Sequence, residues 1–326
     1  MSNPVKPHAV YVQDLLAAPQ VTTNGWVRGV YQHAIEYTTF DRSVRGVPFL
    51  FGGVGIASLA FFAGGTSFSL FAESIADGGS LFSWATLIGT LLWTGAALFA
   101  LIHYGRREFF RPLDLPIIFD RQRRKVYRLD QTPPRGVFSA FKPWPIRYVE
   151  HDWDDIVAEH GVVTFTTGSS VHRQHTLALM VRDKNPGEFK GEITPDNTPP
   201  YVDGFVFGDP KTLSELTTPR VWEHVRRYMN ENGPALPPGE HLADTSVPMT
   251  WWDSLDAVSV FGPGHLKRWR ERWGWMTIMH LLSPLMLPLA VLMATTNWLS
   301  YKTAYPVQWP QEVRHRIGPP MATGSV

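Results

Sequence analysis

The stretch that decides the fold is Val47–Ala72, VPFLFGGVGIASLAFFAGGTSFSLFA, which contains no Asp, Glu, Lys or Arg. Glu73 and Asp77 follow, and Gly78–Gly105, GGSLFSWATLIGTLLWTGAALFALIHYG, again lacks these charged residues. A bilayer core about 30 Å thick needs roughly 20 apolar residues in a helix, so each run is long enough to cross it. We predict a hairpin of two transmembrane helices, 47–72 and 78–105. A pair of buried core helices in a soluble protein is the alternative.

Charges around the hairpin predict its orientation. The loop 74–80 between the two runs contains no Lys or Arg, and only Glu73 and Asp77 carry charge near it. The basic residues lie at the open end of the hairpin and are Arg42, Arg45, Arg106, Arg107 and Arg111. Because loops rich in Lys and Arg stay in the cytoplasm, both ends of the hairpin are expected to be cytoplasmic.

Composition supports a small membrane part joined to a larger polar part. The chain has 326 residues, a net charge of +1 and a mean hydropathy of −0.12, which is low for a polytopic transporter. The near-neutral charge gives no reason to expect a nucleic-acid partner. The absence of Cys excludes disulfides, thiol catalysis and Cys-ligated metal sites.

Residues 106–272 are predicted to form a cytoplasmic α+β domain between an N-terminal segment, 1–46, and the later membrane segment. Polar or Gly/Pro-rich turns separate its short apolar runs. The predicted strands are 115–119 and 125–129, paired as a β-hairpin, then 146–149, 162–167, 175–181 and 203–207. The polar stretch 183–200 is predicted to be an exposed loop.

One amphipathic helix follows these strands. Thr218-Pro219 is a typical helix start and Gly233-Pro234 a stop, with Val221, Trp222 and Val225 in one apolar stripe that Met229 extends. Strands followed by one helix favour a bent antiparallel sheet capped by that helix, in the manner of a pleckstrin-homology-like domain. An unrelated α+β sandwich is the alternative.

A third membrane segment is predicted at 273–301, where Asp, Glu, Lys and Arg are again absent. The basic residues before it, Lys267, Arg268, Arg270 and Arg272, predict a cytoplasmic start. A full span would place the tail, 302–326, outside. Pro284 and Pro288 also allow a re-entrant or interfacial segment, which would keep the tail inside.

Two kinds of polar residue are candidates for function. His280 lies inside the third segment, where an ionisable group is costly, but a structural role, in a hydrogen bond to a neighbouring helix or at the interface, is favoured over a functional one. The basic run after the hairpin is a candidate for anionic lipid headgroups or for a partner, although topology alone also explains it. Its members are Arg106, Arg107, Arg111, Arg121, Arg123, Arg124, Lys125 and Arg128. The sequence indicates no catalytic residue, metal site or cofactor: His172 and His175 are read as exposed histidines, and His151–Asp155 as a polar turn.

The order of parts resembles an uncharacterised family of bacterial membrane proteins encoded beside type VI secretion effectors. The similarity covers roughly 38–298 and rests on the stretches RPLDLPIIFDRQRRKVYR at 111–128, DGFVFGDP at 203–210 and WEHVRRYM at 222–229. It implies an immunity or accessory role toward a secreted toxin.

Three functions remain open from the sequence. The first is a non-enzymatic inner-membrane protein whose cytoplasmic domain binds a protein partner, such as a type VI effector or its loading apparatus. The second is a membrane-anchored sensor or scaffold that reads anionic lipid headgroups through the basic run. An embedded enzyme or transporter ranks last, because the spans lack the polar residues of a substrate path.

Overall fold

The structure is a computed structural model that describes residues 6–39, 44–134, 136–167, 170–184, 189 and 191–321. Arg42 and part of the predicted loop 183–200 lie outside the described residues. The described residues form an α+β fold with two antiparallel sheets and seven α-helices.

The strands are β1 (Ala9–Tyr11), β2 (Val27–Val30), β3 (Ala34–Tyr37), β4 (Ile117–Asp120), β5 (Lys125–Asp130), β6 (Arg147–Asp152), β7 (Ile156–Thr167), β8 (Ser170–Arg182) and β9 (Tyr201–Val206). The helices are α1 (Ile56–Ala76), α2 (Leu81–Glu108), α3 (Thr217–Asn230), α4 (Trp251–Val258), α5 (His265–Glu271), α6 (Trp273–Thr303) and α7 (Gln311–Ile317). A π-helical stretch, Phe49–Gly55, leads into α1.

The strands and the amphipathic helix predicted after the hairpin are present. β4 and β5 form the expected β-hairpin with Ile117 opposite Arg128, and β6 to β9 lie at or beside the other predicted positions. The stripe of α3 is buried at all its predicted positions, from Val221 to Met229.

The folded domain is larger than the predicted segment 106–272. β2 and β3 form one end of a five-stranded sheet ordered β2-β3-β4-β5-β6, and β1 is an edge of a four-stranded sheet ordered β1-β7-β8-β9. The two sheets share one core, where Phe119 of the first and Leu179 of the second pack with Trp222 of α3. Three strands of at most four residues at the N-terminus give little periodicity of their own, which is why the sequence left them unassigned.

The C-terminal tail covers the other face of the five-stranded sheet. Trp309, Val313 and Ile317 pack with Ile118 and Tyr127, which point away from the shared core. A sheet buried on both faces needs apolar residues at consecutive positions, which explains the run Ile117-Ile118-Phe119. The N-terminal strands, the middle domain and the tail are therefore one folded unit, here called the folded domain.

The predicted hairpin is formed by α1 and α2. Small residues of the first helix face the second: Gly53, Ala57, Ala60 and Gly64 are its buried positions, together with Leu50. A Cβ added to Gly52 would lie 2.4 Å from the Tyr104 ring, so the two helices approach closely there. With α6, they are the three described helices long and apolar enough to cross a membrane.

The third segment forms a second hairpin with the helices before it. The Trp251 indole donates to Thr295 at 3.0 Å, Leu255 packs on Ala290 and Ala294, and Phe261 lies 5.4 Å from the ring of His280. α4 and α5 therefore run along α6 in the opposite direction, and α6 returns the chain to the folded domain.

Both hairpins meet at one buried cluster, here called the hairpin base. The Glu108 carboxylate accepts hydrogen bonds from Gly46 N at 2.7 Å and from Ser300 Oγ at 3.1 Å. The Asn297 side-chain oxygen accepts from Arg45 N at 2.8 Å. The end of α6 is thereby fixed against the open end of the first hairpin, beside the folded domain.

Candidate functional site

The predicted basic run divides into two separate groups. Arg106 and Arg107 lie in the last turn of α2, and Arg111 follows that helix. The other five lie on the β4–β5 hairpin of the five-stranded sheet or in its turn, and are Arg121, Arg123, Arg124, Lys125 and Arg128. The tertiary structure therefore does not bring the eight residues together as one surface.

Four members of the β4–β5 group are ion-paired and the fifth covers an aromatic ring. The carboxylates sit on neighbouring strands and turns, so the local positive charge is largely compensated. The contacts are Arg123 with Asp120 at 3.4 Å, Arg124 with Asp154, Lys125 with Asp152 at 2.7 Å and Glu150 at 3.2 Å, Arg128 with Asp203 at 2.6 Å, and Arg121 over Tyr228 at 4.9 Å. Lys125 and Lys184 beside Asp152 lower the pKa of that carboxyl.

Arg107 and Arg111 of the first group line an open cleft of about 380 Å³. Arg45, Arg107, Arg111, Asp114 and Trp144 are among the residues that line it. This cleft is directly beside the hairpin base, where the folded domain meets the first hairpin. It joins residues from the segment before α1 to residues after α2, which are far apart in the sequence.

Among the described residues that line the cleft, Asp114 is the one carboxylate, and other groups already engage it. Its Oδ2 accepts from Arg28 at 3.0 Å and from Thr38 Oγ1 at 2.7 Å. Its Oδ1 accepts from the backbone N and the hydroxyl of Thr39, both at 2.9 Å. The Asp114 carboxylate therefore neutralises little of the positive charge that the arginines bring to the cleft.

His280 has a structural setting inside the second hairpin. Its Nδ1–H donates to the carbonyl of Met276 at 2.6 Å, and the rings of His265 and Trp269 lie 5.1 and 5.0 Å away. These contacts hold α5 against α6. They agree with the structural alternative that the sequence left open for this residue.

The other histidines singled out in the sequence do not converge. His172 stacks on Phe165 with 5.5 Å between ring centroids, whereas His175 lies on the opposite strand face, 2.9 Å from His160. His151 pairs with Asp203 at 3.0 Å. Within the part of the chain that the structure describes, no group of three or more His, Asp or Glu residues is arranged to hold a metal.

The four-stranded sheet carries a ribbon that extends beyond its neighbours. β1 pairs with β7 only at 158–160, and β9 pairs with β8 only at 178–182. From Gly161 opposite Thr176 to Thr167 opposite Ser170, β7 and β8 therefore pair only with each other among the strands that the structure describes. At about 3.3 Å per residue this ribbon projects about 20 Å.

The ribbon continues an uncovered apolar face. Residues two apart on a strand share a face, as do residues directly opposite each other. Val163 and Phe165 of the ribbon therefore lie on the same face as Val206 of β9, through the pair Ala178–Val206. All three are exposed, by 53 %, 45 % and 52 %. The opposite face of the same sheet is buried in the core through Leu177 and Leu179.

Sequence reasoning found the strands of this face but not its exposure. Alternation in β7 marks two faces, but it does not say which face the other sheet and α3 cover. The sequence also missed Arg45 and Asp114 as neighbours of Arg107 and Arg111, because the contact depends on the chain returning to the same point after two long helices. The extra length of 156–167 and 170–182 relative to the other strands is the signal that favours a projecting ribbon.

Comparison with known proteins gives one family. No curated protein and no solved structure matches the chain. A protein-family profile described as a family of unknown function, DUF6708, matches residues 94–316. The matched range contains the second half of α2, the strands from β4 onward, the three helices of the second hairpin and most of α7, and it is more than half of the chain. The chain therefore belongs to the family of unknown function DUF6708.

Proposed function

We propose that this protein is a non-enzymatic, membrane-anchored binding protein whose folded domain captures a protein partner on the outer face of its four-stranded sheet. The observation that carries the proposal is the exposure of three apolar side chains on one face of the sheet, Val163 and Phe165 on the projecting ribbon and Val206 on β9. Large apolar side chains left exposed on one face of a folded domain favour an interaction site there.

The ribbon also offers backbone hydrogen bonds. Beyond His160 on β7 and before Leu177 on β8, each strand has one edge that no described strand covers. An exposed edge of this kind accepts an added strand from another chain, with side-chain contacts on the adjacent face for specificity. A two-stranded ribbon alone is marginally stable, so a partner strand would also stabilise it.

The sequence resemblance suggests the identity of the partner. We propose a type VI secretion effector or the apparatus that loads it, with this chain in an immunity or accessory role. We further propose that the protein lies in a bacterial inner membrane with its folded domain in the cytoplasm, where a pleckstrin-homology-like domain would meet an effector before export. Charge asymmetry supports this orientation, since Arg45, Arg106 and Arg107 lie on the side of the folded domain.

Co-purification of the full chain in detergent with the product of the neighbouring effector gene tests the proposal. We expect a complex with the wild-type protein and its loss with Phe165→Ser, because this substitution places a polar group in the apolar face. Leu16→Ser is the matched control, since Leu16 is 63 % exposed elsewhere on the folded domain.

Two results would count against the proposal. If no complex forms, and deleting the gene leaves cells insensitive to the effector, the immunity role is wrong. If the complex forms equally well with Phe165→Ser and Leu16→Ser, partner binding occurs on another surface. Both substitutions are at exposed sites, where stability changes are usually within about 0.5 kcal/mol.

A further inference from the structure

We propose that the cleft beside the hairpin base binds the phosphate-bearing headgroup of an anionic phospholipid, held by Arg107 and Arg111. The lipid would come from the leaflet next to the folded domain. This site is separate from the face of the four-stranded sheet, and it does not depend on the protein partner proposed above.

The charge of the cleft favours an anion. Arg107 is exposed and Arg111 is half-buried, and among the described residues neither has a carboxylate or hydrogen-bonding partner for its guanidinium. Asp114, the one carboxylate among the described residues that line the cleft, is already engaged by Arg28 and by the donors of Thr38 and Thr39. Arginine forks bind phosphate oxygens with two parallel hydrogen bonds, and such charge-assisted bonds are the stronger kind.

The position of the cleft favours a lipid over a free phosphate. Arg107 lies in the last turn of α2, one of the helices long and apolar enough to cross a membrane, so its guanidinium lies near the level of the headgroups. Leu113, Leu115 and Trp144 line the same cleft and give it an apolar wall that a free phosphate would not use.

A neighbouring segment also indicates that the bilayer surface lies at the level of the Arg107 guanidinium. The 3₁₀ helix Val137–Phe141 packs against α2 and leaves Phe138 and Phe141 exposed by 70 % and 64 %. Trp144 follows it and lies 5.4 Å from the guanidinium of Arg106. Exposed aromatic residues beside a basic helix end are typical of the membrane interface.

The charges of Arg107 and Arg111 determine how much headgroup binding should weaken when both residues are replaced. A basic residue near an anionic membrane surface contributes a factor of roughly five in affinity. Replacing both Arg107 and Arg111 by Gln should therefore weaken headgroup binding by roughly 25-fold. A double substitution Lys302→Gln with Arg314→Gln removes the same charge from exposed positions outside the cleft, and we expect it to change binding less than about threefold.

Native mass spectrometry of the full chain in a neutral detergent tests the inference, with phosphatidylglycerol added in steps and phosphatidylcholine as the comparison. The wild-type protein should retain phosphatidylglycerol in preference to phosphatidylcholine, and Arg107→Gln with Arg111→Gln should lose that preference. Arg107→Lys with Arg111→Lys keeps the charge and should retain most of the binding, even if the Gln variant is less stable.

A second arm separates the two sources of phosphate. Inorganic phosphate at millimolar concentration should not displace phosphatidylglycerol from the wild-type protein. If it does so and binds as tightly, the cleft is a site for a free anion and the lipid assignment is wrong. If the Gln pair in the cleft and the control pair lose binding equally, the effect is diffuse charge. If neither pair loses binding, Arg107 and Arg111 do not hold the headgroup, and in both cases the cleft is not a site.

Discussion

The indole nitrogen of Trp309 donates a 2.7 Å hydrogen bond to the buried carboxylate of Glu36, a residue 273 positions earlier in the chain. The Tyr31 hydroxyl donates to the same carboxylate at 3.0 Å, and Arg28 lies 3.3 Å from it. The end of the tail also contacts an N-terminal strand, since the backbone N of Met321 donates to the carbonyl of Val30 at 2.8 Å. The tail is therefore part of the folded domain and must lie on the same side of any membrane.

The position of the tail predicts a topology. A single-Cys variant at Met321 should react with a membrane-impermeant maleimide from the same side as one at Lys211 in the folded domain. It should react from the opposite side to one at Ile75, in the last turn of α1 beside the loop of the first hairpin. The native chain has no Cys, so each engineered residue reports alone. Labelling of Met321→Cys together with Ile75→Cys would contradict the packing of the tail.

The same experiment at Lys267 distinguishes the two interpretations of α6. α6 is long and apolar enough to span, but both ends of the second hairpin lie at the folded domain. We expect Lys267→Cys to react from the side of Lys211→Cys, because four basic residues precede α6 and favour the cytoplasm. α6 would then be re-entrant or interfacial. Reaction from the side of Ile75→Cys would instead establish a full crossing.

Removing the Trp309 side chain should destabilise the folded domain. Trp309 is 6 % exposed and packs against the outer face of the five-stranded sheet. Truncation of a buried Trp costs about 3–5 kcal/mol, so Trp309→Ala should lower the thermal unfolding midpoint measured in detergent. Trp252→Ala, at a position 50 % exposed, is the control and should have a small effect. Equal midpoints for the two variants would show that the tail adds no stability.

Gly46 should tolerate no side chain, because it lies between the two hairpins. Its φ is +86° and an added Cβ would lie 2.6 Å from the Thr296 backbone. We expect Gly46→Ala to destabilise the protein by about 1–3 kcal/mol through backbone strain and separation of the hairpin base. Gly65→Ala is the control, since a Cβ there meets nothing within 4 Å. The thermal midpoints of both variants in one detergent provide the measurement, and a stable Gly46→Ala would refute the contact.

Stability should fall in mildly acidic solution because two histidines are buried in the neutral form. Burial lowers the pKa of His160 and of His224 from 6.5 to about 4. Between these values the unfolded chain binds protons that the folded protein does not, so the free energy of unfolding decreases as pH falls from about 6.5 toward 4. Each histidine contributes on the order of 3 kcal/mol to this loss, which levels off below the folded pKa.

Thermal unfolding midpoints between pH 7.5 and 4.5 check this expectation. His160→Gln and His224→Gln should each flatten the pH dependence, whereas His315→Gln, at an exposed position, should leave it unchanged. Ion-paired carboxylates such as Glu223, whose pKa Arg226 lowers through a hydrogen bond against the effect of burial, also lose stabilisation in acid. The comparison between variants isolates the histidine contribution. Identical slopes for all three variants would contradict it.

The division of the basic residues into two groups depends on tertiary contacts that no local sequence pattern contains. The sequence identified Arg107 and Arg111 as basic residues near the membrane but grouped them with Arg124 and Lys125. In the structure, Asp154 and Asp152 compensate the latter pair, whereas the former pair lies in the cleft. Ion pairing between distant strands is a tertiary property, so a count of charges along the chain could not separate the two groups.

By itself the sequence determined the two long apolar helices, the β4–β5 hairpin and the stripe of α3, because apolar length, turn residues and helical period are local properties. Only the tertiary structure decided that 6–39 and 304–321 complete the folded domain, that α4 and α5 pair with α6, and that Val163 and Phe165 remain uncovered. Strands as short as β1 and β3 are stabilised by partners more than 70 residues away, at β7 and β4. Their pairing energy comes from burial and hydrogen bonds that exist only once the chain has folded.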